Sequence, residues 1–174
     1  MSVPAPLLKI ETPTGLTIPG RGFYQVEEDS LCVQIGEFSP DRKYFNYLES
    51  DSVRFDIDRE GRLMLVEVTL PRRQWAVRKD LTVPGIGEPA DIRWLDFRTR
   101  MTEPNLYTNP DRTILLIEFS PGASWRWVRA AKTVYVQTDE NHFLTAMLIM
   151  EITDDLAGQA LEHFRTHLRP RRFS

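Results

Sequence analysis

The stretch Asp56-x-Asp58-x-Glu60-Gly61-x-Leu63-x-x-x-Glu67 has the spelling of a calcium-binding loop. Acidic oxygens stand at positions one, three and five, glycine at six, an apolar residue at eight and a glutamate at twelve. That spacing lets a short loop wrap one cation in oxygen ligands. The flanks oppose this chemistry, because such a loop joins two amphipathic helices. Here Val53, Phe55 and Ile57 alternate with Arg54, Asp56 and Asp58, and Met64, Val66, Val68 and Leu70 share one face downstream. Period-two alternation is a strand signal. Asp58-Arg59-Glu60-Gly61 between two such runs reads as a hairpin turn. A plain hairpin with a solvated acidic face is the expectation, and Asp56, Asp58, Glu60 and Glu67 are weak metal candidates.

His163 and His167 are four residues apart, a helical spacing that puts both imidazoles on one side, where they could share a metal. No third ligand stands nearby in sequence, and two histidines near a helix C-terminus also suit the helix dipole. Trp125 and Trp127 alternate on one strand, and the offset that carries Glu37 onto Glu118 brings Tyr44 onto Trp125. Such aromatics could form a stacking platform for a ligand or a partner, or pack between two halves of the molecule. Glu37 and Glu118 stand at repeated positions and could face each other as a carboxylate pair, or blunt sheet edges. Arg72, Arg73, Arg78 and Lys79 surround Trp75, a pattern that could grip a phosphate strand. No nucleophile elbow, phosphate-cradling glycine loop or dinucleotide fingerprint is present, so no catalytic residue and no cofactor is assigned.

These side chains need elements to hold them. Glu37-Phe38-Ser39-Pro40 recurs as Glu118-Phe119-Ser120-Pro121, and the same offset carries Val53 onto Val134 and Asp58 onto Asp139. Self-similarity at one period implies a block used twice. The expected organisation is a single domain over 1–174, with internal repeats at 7–80 and 92–168 joined by a Pro/Gly-rich segment at 81–91. Each repeat reads as an antiparallel β-meander. The fold class is α+β, mainly β, with the two meanders forming a sandwich or half-open barrel. Leu156, Ala160, Leu161, Phe164 and Leu168 fall on one face of a C-terminal helix expected from Thr153 onward. A short helix is expected over 72–80 with Trp75 as its buried anchor. The expected core comprises Val53, Phe55, Val66, Val68, Ile114, Leu116, Val134, Val136, Met147 and Ile149.

One segment resembles a known family. Tyr24-Gln-Val-Glu-Glu-Asp29-Ser-Leu31-Cys-Val-Gln-Ile35, followed by Val53-Arg-Phe-Asp56-Ile-Asp58-Arg-Glu-Gly61-Arg-Leu63-Met-Leu-Val-Glu67-Val68, is similar to a small bacterial domain of unknown function. Its pattern is an acidic segment entering a strand, then an Asp-x-Asp-x-x-Gly hairpin and an Ile-Glu-Ile-type strand. The resemblance covers about residues 24–70, with its outline repeated in the second half. Cys32 stands where that family carries tyrosine. The resemblance implies a β-rich fold and no catalytic residue.

Composition bounds the function. The chain has 174 residues, a formal charge of −3 and 41% hydrophobic residues, a soluble globular profile. A net-acidic chain has no global attraction for phosphate polymers, so nucleic acid is disfavoured as a partner. Cys32 is the only cysteine, which excludes an intrachain disulfide and a zinc site of two thiolates. No apolar run reaches the length of a membrane span, and no signal pattern opens the chain, so a cytoplasmic protein is expected. The expected function is a non-catalytic cytosolic binding or interaction module, with a protein partner, a small molecule or a second copy of the chain left open. The alternative is a small-molecule-binding protein or enzyme. It would use a cleft between the meanders lined by Trp125, Trp127 and Tyr44, with Glu37 and Glu118 at its mouth.

Overall fold

Alternating apolar and polar residues dictate strands, and strands dominate the molecule. The computed structural model describes residues 5–11, 17–36, 44–81, 83, 87–95, 100–120 and 127–168. Among them the chain forms β1 (Leu8–Ile10), β2 (Gly20–Gln25), β3 (Ser30–Ile35), β4 (Tyr44–Glu49), β5 (Val53–Asp58) and β6 (Leu63–Val68). Next come β7 (Ala76–Val77), β8 (Glu88–Pro89), β9 (Ile92–Trp94), β10 (Asn105–Thr108) and β11 (Leu115–Glu118). The chain finishes with β12 (Trp127–Ala131), β13 (Val134–Thr138), β14 (Leu144–Ile149), β15 (Thr153–Asp155) and helix α1 (Gln159–Leu168). The larger sheets have the orders β15-β2-β3-β6-β5-β4 and β7-β10-β11-β14-β13-β12-β8, while β1 pairs with β9.

Both large sheets share one plan. In β2 to β6 and in β10 to β14, the second strand lies beside the fifth. The chain therefore leaves the second strand for the far edge, and three hairpin-linked strands return toward it, a Greek key. This corrects the expected meander, because a pairing between distant strands leaves no trace in local alternation. The β5–β6 and β13–β14 ladders correspond at the offset read from the sequence (Val53 to Val134), including an irregularity after Asp56 and after Gln137. The β2–β3 and β10–β11 ladders correspond at a slightly longer offset (Leu31 to Leu115). Glu118 is thus the counterpart of Gln34, not of Glu37, and Trp127 is the counterpart of Tyr47.

After the fifth strand the chain changes sheets in both halves. β7 joins β10 and β15 joins β2, each in parallel. Each sheet is completed by a strand from the other half, so the sheets are mixed where antiparallel pairing alone was expected. The helix expected over 72–80 is a single 3-10 turn, Arg72–Gln74, followed by β7. The C-terminal helix also begins later than expected. Thr153–Asp155 is spent as β15, and the Asp155 carboxylate accepts from the N–H groups of Ala160 and Leu161 at 2.8 and 3.1 Å, capping α1.

One apolar cluster fills the space between the sheets. Leu31, Val33, Val53, Phe55, Val66 and Val68 enter from one side, and Leu115, Ile117, Val134, Val136, Met147 and Ile149 from the other. Trp94 from β9 packs edge-on against Phe55, with centroids 5.8 Å apart. At Gly20 an added Cβ would lie 2.5 Å from the Ala131 Cβ, so glycine permits this close approach. Ile114 and Leu116, expected in this core, belong instead to a second cluster on the outward face of the seven-stranded sheet. Their inward places are taken by Leu115 and Ile117, the face exchange produced by a one-residue slip. No helix among the described residues is long and apolar enough to cross a membrane.

Candidate functional site

The two large sheets present two outward faces, and these differ. On the seven-stranded sheet, Leu116, Tyr135, Ala146 and Leu148 are buried, with Leu81, Tyr107 and Trp127 packed against them. Gly87 approaches so closely that an added Cβ would meet the Tyr135 ring at 2.5 Å. On the six-stranded sheet, α1 covers the β2 and β3 side. Phe164 packs on Phe23 with centroids 5.4 Å apart, and Arg165 Nε donates to Gln34 Oε1 at 3.0 Å. The β6, β5 and β4 side turns Leu65, Glu67, Arg54, Asp56 and Tyr47 outward, all partly exposed.

Arg54 organises this open half. Alternation along β5 places Arg54 and Asp56 side by side, and Arg54 Nε donates to Asp56 Oδ1 at 2.8 Å. That hydrogen bond raises the guanidinium pKa, against the opposing cost of burial. The same guanidinium lies 4.1 Å from the Tyr47 ring centroid and 5.9 Å from that of Tyr44. The two tyrosine rings stack, with centroids 6.3 Å apart and planes 18° from parallel. Glu49 Oε2 stands 4.0 Å from Arg54, and Glu67 faces Arg54 across the β5–β6 ladder. Three carboxylates thus surround one guanidinium and two aromatic rings, leaving the patch net negative. Tyr44 is 46% exposed and Phe45 51%.

The backbone edge of β4 is partly closed. The Tyr47 N–H donates to Asn46 Oδ1 at 2.8 Å, and the Met101 N–H to the Glu49 carbonyl at 3.0 Å. The β4–β5 register also slips between Tyr44 and Asn46. Capped groups and irregular register discourage addition of another strand. The accessible chemistry here is therefore that of side chains: an aromatic stack within an acidic rim.

The other candidates are dispersed. Asp58 is buried, and its Oδ1 accepts from the N–H groups of Glu60 and Arg62 at 2.9 Å each, so its carboxylate ties the turn. Glu60 pairs with Arg62 at 2.6 Å, and Asp56 with Arg54. The calcium-loop spelling is a strand-turn-strand, as its flanks imply, and it has no wrapped centre. Asp139 repeats the arrangement, accepting from Asn141 and Phe143 at 2.9 and 3.0 Å. His163 and His167 have ring centroids 4.3 Å apart on an exposed face of α1, and His167 Nδ1 lies 2.9 Å from the His163 carbonyl oxygen. Among the described residues no group of three or more His, Cys, Asp or Glu side chains is placed to hold a metal.

Trp127 is half-buried on the outward face of the seven-stranded sheet, whereas Tyr44 lies on the six-stranded sheet. The two do not line one cleft, because the core occupies the space between the sheets. Glu118 ends β11 opposite Asn105 and Ala146. Trp125 and Glu37 lie outside the described residues. Arg54 and Tyr47 carry no site motif in the sequence. Alternation does turn Arg54 outward, but it cannot bring Tyr47 beside it, since that depends on the β4–β5 register.

Part of the basic segment is held against the protein. Trp75 is 2% exposed, and its Nε1–H donates to the Leu70 carbonyl at 2.9 Å. Arg72 pairs with Asp154 and lies over the Tyr24 ring, while Arg73 pairs with Asp29. The Tyr24 hydroxyl donates to Asp29 Oδ1 at 2.5 Å and accepts from the Arg72 N–H at 3.0 Å. Burial, then the bond to Asp29, raises the Tyr24 pKa. The Tyr24 and Arg73 hydrogen bonds lower that of Asp29. Cys32, beneath α1, is pushed up to about 11 by burial.

Fold and surface together define a mainly β protein with two large sheets, one small one, a C-terminal helix and an open aromatic–acidic half-face. No protein-family model matches the chain, and no curated protein matches it at a significant level.

Proposed function

We propose that this chain is a non-catalytic cytosolic interaction module. It docks a protein partner on the open half of the six-stranded sheet. The observation that carries this reading is the exposed Tyr44–Tyr47 stack beside Arg54 and rimmed by Glu49, Asp56 and Glu67. Exposed aromatics that are already ordered lose little entropy on contact and are the residue types that dominate interfaces. The surplus of carboxylates selects a partner segment bearing Lys or Arg, whose cation can lie on the free face of Tyr44. The alternative, a small molecule held in a cleft between the sheets, has less support because apolar side chains occupy that space.

Kinship with the small bacterial family of unknown function, and descent of both halves from one duplicated block, belong to the same proposal. They are supported by the β5–turn–β6 unit carrying the Asp-x-Asp-x-x-Gly segment, and by the common strand order and matched ladders of the two sheets.

A photo-crosslinking residue at position 45, installed in cells, tests the docking. The captured protein is then purified and titrated against the isolated chain. Tyr44→Ser combined with Tyr47→Ser is expected to weaken that purified pair by about tenfold or more while leaving the thermal midpoint nearly unchanged. Equal affinity for the double variant would reject this surface. A metabolite that stabilises the protein and is sensitive to substitution of core residues would favour the enclosed-ligand alternative.

A further inference from the structure

A second feature of the same sheet is independent of the docking surface. Arg21 and Gln34 are register partners on β2 and β3. Both point outward, since an added Cβ at Gly20 or Gly22 would meet core atoms of Ala131 or Ile149. Gln34 is 4% exposed, and among the described residues its side chain makes one hydrogen bond, accepted by Oε1 from Arg165 Nε at 3.0 Å. That bond orients the amide, whose NH2 group makes no hydrogen bond among the described residues. Beside it, Arg21 Nε is buried and also has no acceptor among the described residues. The Arg21 guanidinium carbon lies 5.6 Å from the Phe23 ring centroid, on an apolar floor shared with Phe164.

A buried guanidinium donor without an acceptor is a costly arrangement in a folded protein, and among the described residues the neighbouring amide NH2 has no protein partner to supply one. Among the described residues, two carboxylates of this sheet are committed elsewhere. Asp56 holds Arg54, and Asp155 holds Gln25 and the start of α1. The corresponding pair on the other sheet is Asn105 and Glu118, where an acid replaces the amide. The arrangement therefore belongs to the six-stranded sheet alone.

We propose that Arg21 and Gln34 form a binding site for a phosphoryl group. The planar fork of a guanidinium engages two oxygens at once. The Gln34 NH2 group is a third donor beside that fork, which suits the third oxygen of a phosphoryl group. A carboxylate has only two oxygens to offer. Arg165 supplies the bond that orients Gln34 and adds positive potential behind it. A buried, apolar floor strengthens each of these charge-assisted bonds.

Proton–nitrogen correlation spectra of the full chain, following the Arg21 Nε–H and Gln34 NH2 signals, provide the test. Titration with inorganic phosphate at constant ionic strength is expected to shift both signals saturably. Arg21→Gln and Gln34→Leu should each weaken that binding by about tenfold, and acetate should bind the unaltered protein about tenfold more weakly than phosphate. Phosphoserine and glycerol phosphate complete the series. Tighter binding than inorganic phosphate identifies an esterified phosphoryl group as the ligand, and weaker binding identifies the free anion; either order upholds the site. Should Gln34→Leu fail to fold, Arg21→Lys retains the charge without the fork and is expected to lose the preference for phosphate over acetate. Absence of a saturable shift with every phosphate compound, or unchanged phosphate binding in Arg21→Gln, would overturn the assignment.

Discussion

Gly61 has φ +80°, and an added Cβ would lie 2.8 Å from the Trp94 carbonyl oxygen. Left-handed backbone and a backbone obstacle coincide there, so Gly61→Ala should cost about 2 kcal/mol or more, read from urea unfolding. His142 occupies the equivalent turn place with φ +69°, showing that the conformation alone is tolerated and that the approach of β9 is what demands glycine. Asp58 has its carboxylate engaged by two backbone donors, so added calcium or a chelator is expected to leave the thermal midpoint unchanged. Titration has a sign at each shifted group. The native state holds the Cys32 proton up to about pH 11, above the ordinary thiol range, so its contribution is complete below about pH 9 and is lost as pH rises through 11. Tyr24 acts in the same direction, its contribution falling away as pH climbs above its ordinary value of 10. Asp29 acts oppositely, contributing above its ordinary carboxylate value and losing that contribution as pH falls through its lowered native pKa. Native Cys32 should therefore resist thiol reagents at neutral pH and react on alkaline opening, a difference measurable by the rate of labelling.

At the scale of elements, exchange of β7 and β15 between sheets makes Asp155 a junction. It is 1% exposed and accepts from Gln25 Nε2 at 2.8 Å as well as from the first N–H groups of α1. Asp155→Ala leaves a buried amide and an uncapped helix, and is expected to cost about 2–4 kcal/mol in denaturant unfolding. Asp155→Asn, which keeps one acceptor oxygen, should lose less. An equal loss for both variants would show that the carboxylate charge, and not its acceptors, secures the junction. Arg72 and Asp154 reinforce the same crossing from the other strand exchange, joining the two chain segments that change sheets.

At the scale of the molecule, both sheets draw on one core, and neither half completes its own sheet. A fragment of residues 1–80 lacks β15 and α1, which cover Phe23 and the β2 edge in the whole chain. It is expected to show no dispersed amide spectrum. The intact chain should unfold in one transition, with tryptophan fluorescence and far-ultraviolet dichroism coinciding. Separate transitions for the two probes would mean that the halves are energetically independent. The same shared core fills the inner faces, and among the described residues the β4 to β6 half of the six-stranded sheet turns partly exposed side chains outward.

Alternation in residues 53–68 determined the β5–β6 hairpin, its turn at Asp58 and Gly61, and the outward direction of Arg54 and Asp56, because side-chain direction in a strand depends on local parity. The apolar stripe at Leu161 and Phe164 likewise determined a C-terminal helix. β2 leaves no such alternation, because two of its inward positions are Gly20 and Gly22, the close-approach points that let the sheets meet. Only the tertiary structure decided that the second strand lies beside the fifth, that the halves exchange β7 and β15, and that Tyr47 stacks beside Arg54 while Gln34 stands beside Arg21. Each of these depends on which distant strand supplies the neighbouring backbone, and that choice follows from burying both inner faces at once.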